Sequence, residues 1–95
     1  MVNVATKAFD AAKYVQSQSE QQELLADAFA SGNAGYIADA LGIIARARGM
    51  ADVARETGLT REGLYRSLRE DGDPKLTTVL GVARALGVKI TARLA

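Results

Sequence analysis

Arg61, Glu62, Tyr65, Arg66 and Arg69 stand at intervals of one and three along a nine-residue stretch. On a helix, that spacing places all five on one face. The planar fork of arginine can bridge O6 and N7 of guanine, and a glutamate can accept from N4 of cytosine. Such chemistry reads base edges. Arg61, Glu62 and Arg66 are therefore the expected base contacts. Tyr65 and Arg69, with Thr60 just ahead of them, can hold phosphates and fix register. The plainer alternative is a solvated outer face of an all-helical domain.

Other chemistries are poorly supplied. The 95 residues include no cysteine and no histidine, which removes disulfides, thiol nucleophiles, imidazole bases and the commonest zinc ligands. Glu70, Asp71 and Asp73 cluster in "EDGDP", but without the spaced ligand ladder of a calcium loop they read as turn-forming residues. No enzyme, metal site or cofactor is expected. The chain has no apolar run of about eighteen residues and no basic-then-apolar start, so neither a membrane span nor a signal peptide is expected. A cytoplasmic location fits that reading and the lack of disulfides.

The elements that must position the arginines surround them. In "VARETGLTREGLYRSL", Ala54 offers a small residue where two helices can cross. Gly58 tolerates the positive φ of a tight reversal, and Leu59 is expected to tuck into the turn. Val53, Leu64 and Leu68 supply the contacts behind the second helix, Arg61 to about Arg69, and Thr60 can cap it. Thr57 stands where an aliphatic residue is usual, and Ser67 where a larger apolar one is. Gly63 costs about 1 kcal/mol relative to alanine.

Upstream, "TKAFDAAKYV" has Phe9, Ala12 and Val15 near one helical face. Ser19 with Gln22 suggests a capping box for a helix with Leu24, Leu25, Ala28 and Phe29 inward, ended by Gly32. Asn33 opens a helix running to about Arg48 with Ile37, Ala40, Leu41, Ile44 and Ala47 in period, and Gly49 stops it. A short helix from about Ala51 to Thr57 follows. After Pro74, helical spacing of Leu76, Val79, Leu80, Ala83 and Leu86 holds until Gly87. The tail "VKITARL" alternates with period two, a strand with one apolar face. A lone strand is unstable, so the tail is either frayed or paired with its copy in a symmetric dimer, and pairing is the expectation.

Charge divides the chain. Residues 1–40 hold two lysines against five acids, a net of −3; residues 41–95 hold ten basic residues against six acids, a net of +4. Two surfaces with different partners are implied.

The continuation "GDPKLTTVLGVARALGV" carries a turn into a helix closing with Ala–Leu–Gly. Residues 41–88 thereby resemble the Cro and phage-repressor class of helix-turn-helix domains. Within that class "ARARGMADVARETGLTREGLYRSLREDGDPKLTTVLGVARALG" resembles the small addiction-module antidote (antitoxin) family, and "FDAAKYV" is in that family's style. The resemblance implies a homodimer that binds double-stranded operator DNA near its own promoter and neutralises a small toxin. The opposed charge would suit a basic toxin. It also implies backbone contacts near the start of the helix after the reading helix, at Lys75, with Arg46 and Arg48 as further phosphate candidates. The expected architecture is an all-α fold of five to six helices with a short C-terminal strand: a helical extension at 1–32, the DNA-binding domain at 33–88, and the strand at 89–95. A stand-alone repressor, or a protein-interaction domain that has lost DNA, are the alternatives.

Overall fold

A computed structural model of the protein describes residues 17–95. The helix expected over "TKAFDAAKYV" lies outside them. The described residues form five helices and no strand: α1 (Gln18–Ser31), α2 (Ala34–Arg48), α3 (Met50–Thr57), α4 (Arg61–Ser67) and α5 (Leu76–Ala85).

Local chemistry sets most of the ends. Asn33 Oδ1 accepts from the Tyr36 N–H at 2.9 Å and opens α2. At α1 the capping box is Ser17 with Glu20, two residues earlier than the Ser19–Gln22 pattern. Ser17 Oγ accepts from the Glu20 N–H at 3.1 Å, and the Glu20 carboxylate accepts from the Ser17 N–H at 3.2 Å. A carboxylate also suits the positive end of the helix better than an amide does, which favours the earlier start. At the far end, α5 closes in a Schellman motif: Gly87 donates to Arg84 O at 3.1 Å and Val88 to Ala83 O at 2.7 Å.

The core is aliphatic, as the scarcity of aromatics requires. Leu41, Ile44, Leu64, Leu68 and Val82 are its largest fully buried side chains. α2 is the central element. Ala38 and the run Ala40 to Ala45 are buried on it, and it packs against each of the other four helices. α1 rests on α2 and shares the core through Leu25, with Leu24 and Phe29 packed alongside. α4 rests on α2 and α3.

Two expectations need correction. Leu76 and Leu80 are outward on α5, 70% and 44% exposed, and Val82 takes the inward position beside Ala83 and Leu86. Because α5 is apolar around most of its circumference, periodicity offered two stripes and packing on α3 and α2 selected one. Leu59 is 40% exposed, not tucked into its turn. Residues 88–95 carry no strand in the single chain, where no described residue pairs with them as a strand; the expected partner is a second copy.

Candidate nucleic-acid interface

The turn between α3 and α4 is built from backbone necessity. Gly58 adopts φ 75°, a left-handed conformation that ends α3. Thr57 earns its unusual place: its hydroxyl donates to Val53 O at 2.9 Å and to Ala54 O at 3.2 Å, and accepts from the Leu59 N–H at 3.3 Å. An aliphatic side chain would add packing here but could not tie the helix end to the turn.

α4 is then seated from behind. Thr60 Oγ1 accepts from the Gly63 N–H at 2.9 Å. A Cβ on Gly63 would come within 2.9 Å of that same hydroxyl, so the glycine leaves room for the cap. Leu64 and Leu68 are buried in one core cluster with Val53 and Ala54, and α3 and α4 pack together. The tightest contact was not foreseen from the sequence. A Cβ on Gly42 of α2 would overlap the Leu68 carbonyl oxygen, so α2 and the end of α4 meet backbone to backbone. The available signal was a glycine costing about 1 kcal/mol in an otherwise apolar helix interior.

With Leu64 and Leu68 inward, Arg61, Glu62, Tyr65 and Arg66 are exposed together on α4. The Arg61 guanidinium carbon lies 6.0 Å from the centre of the Tyr65 ring, at the outer limit of a cation–π contact. Among the described residues no acid forms an ion pair with Arg61 or Arg66. Arg69, just beyond α4, pairs with Asp71 at 3.0 Å, and both side chains are largely exposed. Such a pair contributes about 0.2–1 kcal/mol and is readily exchanged. Lys75 is the exposed N-cap residue of α5 and makes no side-chain cap bond. A cation at the positive end of a helix does not stabilise that helix. Together with the uncapped N–H groups behind it, it attracts an anion.

Arg46 and Arg48 stand apart from this group. Both lie in the last turn of α2, where cations offset the helix dipole. Arg46 is half-buried and already engaged within the protein. Arg48 lines a groove between α1 and the segment after α5, with Leu25, Phe29, Val88 and Ile90.

One titration is displaced. Tyr36 donates its phenolic hydrogen to Asp27 at 2.6 Å, linking α2 to α1. That hydrogen bond raises its pKa above the usual 10.0, aided by desolvation and by the Asp27 charge. Among the described residues no group of acids is placed to hold a metal ion, and no helix is long and apolar enough to cross a membrane.

The described residues thus form a small all-helical domain that presents an arginine-bearing two-turn helix. The chain belongs to the family of probable addiction module antidote proteins, whose sequence model matches residues 5–94. It is 42% identical over 83 residues to an uncharacterized protein of Haemophilus influenzae (strain ATCC 51907 / DSM 11121 / KW20 / Rd), a match covering 87% of this chain and 86% of that one. No solved structure matches the chain. Family membership points to an antitoxin role and, with it, a toxin partner.

Proposed function

We propose that the protein is the antitoxin and autorepressor of a toxin–antitoxin module, binding operator DNA as a homodimer. α3 and α4 form a helix-turn-helix of the Cro and phage-repressor class, and α4 enters the major groove with its N-terminal turn toward the bases. Arg61, Glu62 and Arg66 read base edges. Thr60, Tyr65, Arg69 and Lys75 hold phosphates, Arg69 by exchanging Asp71 for a phosphate oxygen. Arg46 and Arg48 are the weaker phosphate candidates, given their places on α2. The protein works in the cytoplasm without catalysis or a cofactor.

The observation that carries this reading is the outward face of α4, with Arg61 and Arg66 unpaired by any described acid while Leu64 and Leu68 anchor the helix behind them. The toxin side is supported by charge. Glu20, Glu23 and Asp27 lie exposed along one side of α1, and complementary potential would speed and orient a small basic partner.

A footprint of the purified protein on its own promoter, with the neighbouring gene product added or withheld, tests the proposal. Protection of a symmetric site that changes when the product is added is the expected result. Protection indifferent to that product leaves a stand-alone repressor. Absence of any salt-sensitive binding overturns DNA recognition and leaves a protein-interaction domain.

A further inference from the structure

Beyond α5 the chain has the pattern of a strand, and no described residue pairs with it. Val88 makes the last backbone hydrogen bond, to Ala83; Lys89 to Ala95 make none to any described residue. Ile90 and Leu94, on the apolar side of the alternation, are exposed, Leu94 by 98%. Beside this segment lies a shallow, open hollow lined by Leu80 and Ala83 of α5, by Gly87, Val88 and Ile90, and by the cations Arg84 and Lys89. An apolar edge, an unfilled hollow and an exposed leucine therefore occur within one short stretch.

We propose that residues 89–95 of two copies pair antiparallel about a twofold axis through Ala92, seating Leu94 of each copy in the hollow of the other. The occupant is a second copy of this chain, and the inference rests on the homodimer proposed above, to which it assigns a seam. Such an interface is isologous: Ile90 meets the partner's Leu94, and Leu94 the partner's Ile90.

Charge and backbone choose the register. Residues directly opposite in an antiparallel pair share a face, so an axis between two residues would set apolar against charged positions. Any axis through a residue keeps the faces matched, but one through Lys89 or Arg93 sets that cation opposite its own copy, which leaves three centres. An axis through Thr91 puts Lys89 opposite the partner's Arg93 twice, and like charges in that position are destabilising. An axis through Ile90 puts Arg93 opposite the partner's Gly87, whose φ of 74° belongs to the helix terminus and not to a strand, and leaves Leu94 opposite a Leu86 already buried under α5. An axis through Ala92 uses the whole unbonded segment, sets Thr91 opposite the partner's Arg93, and places Leu94 against Ile90 at the wall of the hollow.

The absence of native cysteine makes the test clean. Ala92→Cys, Thr91→Cys and Ile90→Cys are each made in the full chain and mildly oxidised, and covalent dimer is measured without reductant. Across the axis a residue faces its own copy at a Cα separation of about 4.5–5.5 Å, which a disulfide spans. Ala92→Cys should cross-link efficiently and the other two poorly. Dominant cross-linking at Thr91 or Ile90 overturns the register. No cross-linking in a chain that sediments as a dimer overturns the seam and leaves the dimer intact; a monomer at DNA-binding concentrations overturns the dimer itself. Leu94→Asp, at a side chain all but free of its own chain, should weaken self-association at least about tenfold with helix content unchanged. Unaltered association would also overturn the proposal.

Discussion

Gly42 and Gly81 both sit inside helices, yet alanine should have opposite effects at the two positions. A methyl at Gly42 would overlap the Leu68 carbonyl oxygen and stand 3.1 Å from the Leu68 carbonyl carbon. Neither atom can rotate away, because both are backbone at the end of α4. Relief requires α2 and α4 to separate, and overpacking of this kind costs about 1–3 kcal/mol, here toward the upper end. The gain in helix propensity offsets about 1 kcal/mol of that. A net loss of about 2 kcal/mol is expected for Gly42→Ala. At Gly81 the nearest atom to the added methyl is Thr57 Cγ2 at 3.9 Å, an ordinary contact. Gly81→Ala should therefore stabilise by up to about 1 kcal/mol. The difference of about 3 kcal/mol corresponds to a Tm separation of roughly 12–24 °C in a domain of this size. Thermal unfolding followed by circular dichroism measures it directly. A Gly42→Ala protein that melts at or above wild type would refute the backbone-contact account of how α4 is seated. If α4 reads DNA, the same variant should also lose operator affinity at temperatures where it remains folded.

Arg66→Ala should cost about 1–3 kcal/mol of operator affinity and relax preference at one base position, whereas Lys75→Ala should weaken all sequences alike and shallow the salt dependence by about one unit; an Arg66→Ala footprint identical to wild type would remove that residue from the base contacts. Ser17→Ala breaks the capping box of α1 and should lower stability by about 0.5–2 kcal/mol, read from urea midpoints. Tyr36 titrates above its unfolded value, so its bond to Asp27 is fully present below about pH 10 and lost as pH rises through the raised folded pKa. The fall in stability across that alkaline range should be shallower in Tyr36→Phe, and an unchanged slope would show that this phenol does not carry it.

Helix limits were legible where a single residue type dictates them. Asn33, Gly58 and Thr60 act through local hydrogen bonds or backbone conformation, and the sequence alone placed all three. The start of α1 was ambiguous because Ser17 with Glu20 and Ser19 with Gln22 carry the same capping pattern, and only the geometry of the whole helix separates them. Leu76 and Leu80 were misplaced for a different reason: α5 offers apolar residues on two stripes, and its neighbours, not its period, decide which is buried. At the site, the exposure of Arg61, Glu62, Tyr65 and Arg66 followed from Leu64 and Leu68 being inward. The Arg69–Asp71 pair and the position of Arg48 beside α1 did not: the first depends on the local path of the turn after α4, the second on how distant segments come together. The tail shows the remaining limit, since no described residue of the single chain supplies the pairing its alternation anticipates.

The backbone contact between Gly42 and Leu68 also bears on how such a protein can change over generations. The outward residues of α4 take no part in the buried cluster that seats it, so they can be exchanged without loosening that frame. New sequence preferences are then open to single substitutions at Arg61, Glu62 or Arg66, while almost any replacement at Gly42 spoils the platform for every preference at once. Diversity should accumulate on the rim of this helix and stop at the glycine beneath it.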